Sequence, residues 1–191
     1  MAAALPWPNV QGKRCLDIGA ADGFWAFEME RRGAGDVLAV DLGTPFAAGA
    51  RKRLERVREE TGSRVRYEER GVYDLEGEFD LAFMGWVLQM VTDPIGALQS
   101  VRRVSKQLLL LDTVSLPLSL LPAPLARLDA RRDGSEWFVF NPRGMRKVVE
   151  LAGWTVEAQS RILRERIPPA RTDWRYLTGV RSRSCAILAR A

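Results

Sequence analysis

Apolar and polar residues alternate along the chain in two regular ways. Short apolar runs predict strands, and stretches with an apolar residue every three or four positions predict helices between them. The predicted strands cover residues 14–20, 36–42, 65–70, 79–86, 107–114, 155–163 and 184–190. The predicted helices begin at Gly23, Thr44-Pro45, Asp93-Pro94 and Asn141-Pro142. Strands and helices therefore take turns along most of the chain.

The helix ends and inward faces also follow from the pattern. Asp22 is expected to be the N-cap of the first helix, and Gly33 to end it. Proline suits the first position of the three later helices, because that position needs no backbone N–H. The residues expected to face inward from the later helices are Phe46, Ala50, Leu54, Val57, Ile95, Leu98, Val101, Val104, Met145, Val148, Val149 and Ala152.

Four successive strand-then-helix steps predict an α/β fold, in which a doubly wound, mostly parallel seven-stranded sheet carries helices on both faces. The last two strands have no helical pattern between them, so an antiparallel pair is expected at the sheet edge. We expect one domain over residues 1–191. In such sheets ligands bind at the carboxyl ends of the strands, which selects the loops after residues 20, 41, 71, 86 and 114.

One apolar segment needs a separate interpretation, because it begins with a run of leucines at Leu108. It contains Asp112 and three prolines, which do not suit a membrane-spanning helix. We therefore expect no membrane span, but a buried strand followed by an apolar loop. Residues 115–140 would then form a lid, a dimer surface or a wall for an apolar acceptor, and the protein would be a monomer or a homodimer.

The formal charge of +5 is unevenly distributed. Residues 161–191 carry eight arginines against Glu165 and Asp173, a balance of +6, which leaves −1 for residues 1–160. The loop expected at 164–183 interleaves arginines with Trp174 and Tyr176, a combination that suits phosphate contact and base stacking. A solvated connection before the last strand explains the same pattern, so an RNA partner stays open.

Histidine and cysteine, which often act as catalytic bases, nucleophiles or metal ligands, are absent or scarce in this chain. It has no histidine and only two cysteines, Cys15 and Cys185, both within predicted strands. We expect buried, reduced thiols, no zinc or iron site, and no histidine base. The start of the chain lacks the features of a signal peptide, which favours a cytoplasmic protein.

The stretch CLDIGAADG, residues 15–23, carries the most chemical information. Gly19 lets a ligand approach the backbone, and Gly23 allows close packing where the helix begins. Asp17 and Asp22 would repel a pyrophosphate, so a ligand with an amino group and a positive centre fits better. Asp41 ends the second strand, where a carboxylate can accept hydrogen bonds from both hydroxyls of a ribose.

These residues resemble the cofactor site of class I S-adenosylmethionine (SAM) dependent methyltransferases. Leu16, Asp17, Ile18, Gly19 and Gly23 match the first motif of that family. Ala21 stands where relatives commonly have a glycine. Residues 71–75 and 79–94 resemble the family's adenine-contacting segment and its fourth strand with the loop that follows. The resemblance covers roughly residues 14–155, and within the family it is similar to small bacterial enzymes related to the tRNA wobble-uridine modifying group.

The resemblance implies SAM as cofactor and a role for several residues. Gly19, Ala20 and Gly23 would line the methionine end, and Asp17 would orient its ammonium. Asp41 would bind the ribose. At the adenine, Leu42 would pack against the ring and Asp74 would accept from its amino group. Beside the sulfonium would lie Met84, Gly85 and Trp86. For Asp17 and Asp41, an alternative is that they merely accept bonds from loop amides; Trp86 is equally well explained as a core residue.

The catalytic and substrate residues are less defined. Many relatives have a histidine after strand four, where this chain has Gln89, which can donate or accept hydrogen bonds but cannot act as a base. A structural role for Gln89, bonding loop backbone, is an equal alternative to a role in the site. Asp112 and Tyr73 are the next catalytic candidates. The resemblance places Trp137, Asn141 and Arg143 toward the substrate. Three functions follow: a methyltransferase for a small-molecule acceptor, an RNA (tRNA) methyltransferase using the basic segment, and a non-catalytic SAM-binding protein.

Overall fold

The computed structural model describes residues 2–43, 49–128, 137–164 and 183–191. The strands are β1 (Arg14–Ile18), β2 (Asp36–Asp41), β3 (Arg66–Glu69), β4 (Phe79–Gly85), β5 (Ser105–Thr113), β6 (Ala126–Leu128), β7 (Phe138–Phe140), β8 (Thr155–Gln159), β9 (Leu163–Arg164) and β10 (Arg183–Arg190). The α-helices are α1 (Phe24–Arg31), α2 (Ala50–Thr61), α3 (Pro94–Val104), α4 (Leu116–Ser119) and α5 (Pro142–Leu151). Two 3-10 turns occupy Ala2–Ala4 and Leu88–Met90.

The main sheet has the strand order β3-β2-β1-β4-β5-β10-β8, and β9 pairs with β10. Neighbours from β3 to β5 are parallel, whereas β10 runs antiparallel to both β5 and β8. The predicted doubly wound sheet is thus confirmed. Because β10 inserts between β5 and β8, the antiparallel strand lies one position in from the edge. The strand order reverses at β1, beside β4, which is where this fold binds ligands.

Helices cover both faces of the sheet, as predicted. One face packs against α3 and α5 and includes Leu16 and Ile18 of β1. The opposite face packs against α1, α2 and the N-terminal segment and includes Cys15 of β1. This alternation within one strand is the two-residue period of a strand buried on both sides. Within the described ranges, no helix has the length and apolar character needed to cross a membrane.

The two later helix starts formed as predicted. The side chain of Asp93 accepts from the N–H of Gly96, and that of Asn141 accepts from the N–H of Gly144. Each is followed by proline at the first helical position, where its missing N–H costs nothing. The helix expected to begin at Thr44-Pro45 begins at Ala50 instead, because Gly49 takes the N-cap position with a left-handed φ of +74°. Thr44, Pro45 and Phe46 themselves lie outside the described residues.

Three predictions about helix residues were wrong. Asp22 is not the N-cap of α1: Gly23 occupies that position with φ +83° and has no side chain to cap the helix. Asp22 instead lies 3.8 Å from Arg53. Val57 of α2 was expected to face inward but is 36% exposed. Ile95 was likewise expected to face inward but is 37% exposed. It follows Pro94 in the first turn of α3, before the helix packs fully against the sheet.

Both thiols are buried and free, as expected. Burial raises the pKa of Cys15 to about 12, so its thiol stays protonated at neutral pH. Neither cysteine is therefore a candidate nucleophile. Most of the predicted basic loop at 164–183 lies outside the described residues.

Candidate SAM-binding site

The loop after β1 is tied to the neighbouring strand β2. Gly19 and Ala20 both donate their N–H to the carbonyl of Val40, at 2.9 and 3.0 Å. Gly19 has φ +70°, and a Cβ there would collide with Cγ2 of Val87, which follows β4. Val87 was not predicted as a site residue, and only the folded contact reveals it. A side chain at position 19 is thus excluded both by backbone conformation and by space.

Asp41 is held at the end of β2 by two backbone amides. Its Oδ2 accepts from the N–H of Ala21 at 2.9 Å, and its Oδ1 accepts from the N–H of Gly43 at 3.0 Å. A carboxylate oxygen can accept more than one hydrogen bond, so each keeps capacity for another donor. Asp41 therefore does accept hydrogen bonds from loop amides, as the alternative interpretation expected. Its oxygens still have capacity for the hydroxyls of a ribose.

Asp17 lies at the end of β1 and is only 1% exposed. Burial raises the pKa of its carboxyl to about 7, an effect that the N–H of Ala26 opposes and the charges of Asp41 and Asp22 reinforce. Its Oδ2 is buried and has no hydrogen-bond partner in the described structure. A bound ammonium group would satisfy this oxygen and favour its ionised form.

Leu42 and Asp74 approach one another beside Gly71. A Cβ at Gly71 would lie 3.1 Å from Cδ2 of Leu42 and 3.3 Å from Oδ2 of Asp74. Leu42 is 60% exposed even though it is apolar. An apolar surface next to a carboxylate oxygen suits a flat ring that carries an amino group, as the resemblance implies for adenine.

The residues at the end of β4 occupy different environments. Met84 is completely buried in the core, so only its backbone can approach a ligand. Gly85 leaves room for the ring of Phe83, because a Cβ at position 85 would lie 2.7 Å from Cε1 of that ring. Trp86 adopts φ +56°, and its Nε1 donates to Oγ of Ser184 at 3.2 Å. Trp86 is thus partly buried and anchored across to β10.

An aromatic cluster that sequence analysis missed supports this end of β4. The ring of Trp25 lies 4.6 Å from Phe83, 6.1 Å from Trp7 and 6.2 Å from Trp86 between centroids. The guanidinium of Arg32 lies 4.5 Å from the Trp7 ring, a cation–π arrangement. The sequence alone could not reveal this cluster, because Trp7, Trp25 and Phe83 are distant from one another along the chain.

Gln89 and Asp112, two of the catalytic candidates, lie together. The N–H of Gln89 donates to Oδ2 of Asp112 at 3.2 Å, and the N–H of Thr113 donates to Oδ1 at 2.6 Å. The side-chain Oε1 of Gln89 is buried and has no hydrogen-bond partner in the described part of the chain. The third candidate, Tyr73, instead donates its hydroxyl to the carbonyl of Asp93 at 3.0 Å.

The three substrate candidates differ in what they contact. The backbone N–H of Trp137 donates to the carbonyl of Gln89 at 2.7 Å, so Trp137 borders the catalytic candidates. Asn141 is buried, and its amide binds four backbone groups between residues 118 and 144. Arg143 is exposed and donates to the carbonyl of Leu121 at 3.0 Å. Their substrate roles stay predictions, and Trp137 has the most suitable position.

Replacing Ala21 with glycine is expected to raise the free energy of unfolding by about 0.5 kcal/mol. Ala21 has φ +46°, and this left-handed conformation costs an L-residue roughly 1–2 kcal/mol. The greater freedom of glycine in the unfolded chain offsets about 0.4–1 kcal/mol of that gain. Urea denaturation measures the difference, with Ala26→Gly inside α1 as the control that should lose stability. Equal losses in both variants would contradict strain at Ala21.

The site fits SAM by three observations in this chain. Among the described residues the buried Oδ2 of Asp17 has no partner, so it can accept from a cation; the backbone at Gly19 has no room for a side chain, and Asp41 presents a fixed carboxylate. Fold and site together define the class of SAM-dependent methyltransferases, with SAM as the cofactor.

Comparisons with known proteins agree with this class. A family described as "Methyltransferase domain" matches residues 2–159. The chain belongs to this methyltransferase domain family. A curated relative, the 2-phytyl-1,4-naphtoquinone methyltransferase of Trichormus variabilis, is 32% identical over 109 residues. That stretch is 54% of this chain and 47% of the relative, so the chain matches about half of the relative's length.

Solved structures share the fold at low sequence identity. A SAM-dependent methyltransferase from Mesorhizobium loti has a TM-score of 0.65 and 19% identity, with 97% of this chain and 94% of that chain covered. The N-terminal domain of EvdMO1 with SAH bound has a TM-score of 0.62 and 20% identity, with coverages of 94% and 75%. The cyclase SpnF has a TM-score of 0.69 and 16% identity, with coverages of 94% and 75%. Because one neighbour is a cyclase, the fold alone does not define the reaction.

Proposed function

We propose that this chain, acting as one catalytic domain, transfers the methyl group of SAM to a small aromatic acceptor with an acidic hydroxyl, of the reduced-quinone (quinol) class. The observation that carries the proposal is the buried Oε1 of Gln89, which has no hydrogen-bond partner among the described residues. A buried acceptor atom is costly to leave unsatisfied. A quinol hydroxyl would satisfy it while the ring lies over the strand ends.

The chemistry of a quinol matches the residues available. When bound, SAM would supply an activated methyl group: an electron-rich acceptor would form a bond to the methyl carbon as the bond to sulfur breaks, SAH would leave, and the acceptor's proton would pass to solvent. Gln89 accepts a hydrogen bond from the acceptor's hydroxyl and so orients the ring without having to remove a proton. Asp112 holds the backbone N–H of Gln89 at 3.2 Å and fixes the turn that carries it. Catalysis by positioning alone is consistent with a chain that has no histidine.

The curated relative supports the same acceptor class. Its printed name specifies a naphthoquinone substrate, and the matched stretch is 32% identical to this chain. The RNA alternative depended on the loop at 164–183, most of which lies outside the described residues. The likeness to the tRNA wobble-uridine group also stays a hypothesis, as does the choice between monomer and homodimer.

Gln89→Leu is expected to lower kcat/KM for a water-soluble naphthohydroquinone about tenfold, because one hydrogen bond to the acceptor is lost. The affinity for SAM should not change, since Gln89 contacts Asp112 and Trp137 rather than the loops at Gly19 and Asp41. Methyl transfer from labelled SAM measures the first quantity and calorimetry the second.

The matched control is Gln107→Leu, at the opposite end of the sheet, where the amide accepts from Nζ of Lys13. This variant should retain wild-type kcat/KM. Tight SAM binding without methyl transfer to any of a panel of quinols would contradict the proposal and favour a non-catalytic SAM-binding protein.

A further inference from the structure

Leucines protrude from the segment that follows β5, residues 116–128. Leu120 is 88% exposed and Leu128 is 67% exposed, and Leu116 and Leu121 are also exposed. These four are among ten large hydrophobic side chains exposed in the described part of the chain. Isolated exposed leucines are ordinary, but four within thirteen residues form an apolar surface.

The backbone of this segment is fixed, so the leucines are not exposed merely by a loose loop. Asn141 accepts from the N–H of Leu125 at 3.1 Å and donates to the carbonyls of Leu118 and Ala123, both at 2.9 Å. A Cβ at Gly144 would collide with the carbonyl of Leu125, which shows how closely the segment packs on α5. The interior of the segment is therefore held against the fold while its leucines point outward.

Exposed basic side chains lie on α5, the helix that holds the segment. Arg143 and Lys147 are exposed on α5, one turn apart, and Arg143 donates to the carbonyl of Leu121 at 3.0 Å. Arg146 is also exposed and pairs with Glu150 at 2.8 Å. An apolar tip with a basic border is the arrangement found where proteins lie on negatively charged lipid.

We infer that residues 116–128 dock this protein onto a negatively charged lipid surface, with the leucines in the apolar boundary and Arg143 and Lys147 at the headgroups. A second copy of the chain suits this surface less well. A two-fold interface brings the same patch together twice, so it would gather two basic borders and supply no opposite charge. A lipid surface supplies the opposite charge.

The position of the segment connects this surface to the proposed function, on which this step depends. The segment begins after the carboxyl end of β5, and Val114 bridges to Phe140. Trp137, three residues before Phe140, binds the carbonyl of Gln89. The docked face would therefore present the acceptor side of the site to the lipid, from which an apolar quinol can enter directly.

The test is vesicle flotation of the full chain without SAM or acceptor. We expect the wild type to float with vesicles of phosphatidylcholine and phosphatidylglycerol, and about tenfold less with phosphatidylcholine alone or at high salt. Leu120→Glu should lose binding to the mixed vesicles. The matched control is Leu151→Glu, because Leu151 is 58% exposed at the far end of α5. Lys147→Glu should weaken binding to mixed vesicles only.

Three outcomes would overturn this inference. The first is a wild type that fails to float with the mixed vesicles. The second is equal binding by Leu120→Glu and Leu151→Glu. The third is a wild-type dimer, by light scattering, that Leu120→Glu converts to a monomer. Because flotation requires no methyl transfer, a protein that binds vesicles but methylates no quinol would contradict only the proposed function.

Discussion

Asp41→Ala is expected to weaken SAM binding about 100-fold, because two hydrogen bonds between a carboxylate and ribose hydroxyls are lost. The structure holds this carboxylate in place through the N–H groups of Ala21 and Gly43, at 2.9 and 3.0 Å. The substitution would therefore remove the proposed ribose contact and also the acceptor that the loop after β1 binds through Ala21. Calorimetry with SAM and with SAH measures the loss.

Two further variants separate these contributions. Asp41→Asn keeps one acceptor oxygen and is expected to lose about tenfold in affinity. Asp36→Ala is the matched control, since Asp36 begins the same strand and pairs with Arg14 and Arg66 at the surface. It should bind SAM as the wild type does, because surface ion pairs contribute little. Unchanged affinity in Asp41→Ala would refute the assignment of the ribose site.

The strands of the sheet could be predicted because each is marked by a short run of neighbouring residues in the sequence. Each buried strand is a short apolar run, and a parallel sheet covered on both faces needs such runs. The antiparallel strand was also expected, but its insertion between β5 and β8 was not. Strand order depends on which edges meet in space, and the pattern of residues within a strand does not specify its neighbour.

The start of α1 shows why a local rule can fail. Asp22 has the right residue type for an N-cap, and sequence alone could not exclude it. In the structure the backbone turns at Ala21 and Gly23, both with positive φ, and Gly23 takes the cap position. Close packing decides the turn, because a Cβ at Gly23 would lie 2.9 Å from both Leu54 and Phe27. The contact with Leu54 exists only after α1 and α2 have come together.

Sequence analysis predicted the site residues that belong to a recognisable motif. The structure brings Asp17, Gly19 and Asp41 to one edge of the sheet, and places Leu42 beside Asp74. Residues that act through packing were missed. Val87 closes the space above Gly19, and Trp7 stacks on Phe83 at 5.7 Å, although both are remote in sequence from their partners.

Asp17→Asn is expected to stabilise the SAM-free protein at neutral pH by about 2–4 kcal/mol. Burial raises the pKa of this carboxyl from 3.8 to about 7, so the folded state holds the proton more tightly than the unfolded state. The free energy of unfolding should consequently fall as the pH rises from about 4 to about 7. Asparagine carries no ionisable group, so the variant should lose this part of the pH dependence. Urea denaturation across that range measures both effects.

The same substitution is expected to weaken SAM binding roughly 30-fold or more, because the bound ammonium loses its buried counter-charge. In the wild type the ionised carboxylate is the form that binds a cation. SAM affinity should therefore fall below pH 7, by about tenfold for each pH unit once the carboxyl is mostly protonated. Calorimetry near pH 7 in buffers of different ionisation enthalpy should also detect proton release on binding.

Asp22→Asn is the matched control, since Asp22 lies in the same loop but is exposed and near Arg53. It should leave the pH profile of SAM affinity nearly unchanged. A flat profile in the wild type, or an Asp17→Asn variant that is both less stable and equal in affinity, would mean that the carboxylate serves the fold. We expect Asp17→Asn to be more stable than the wild type and to bind SAM more weakly. The reason is that the buried Oδ2 of Asp17, which has no partner among the described residues, lowers stability until a cation binds it. A side chain that costs the empty protein stability yet strengthens ligand binding is positioned for the ligand.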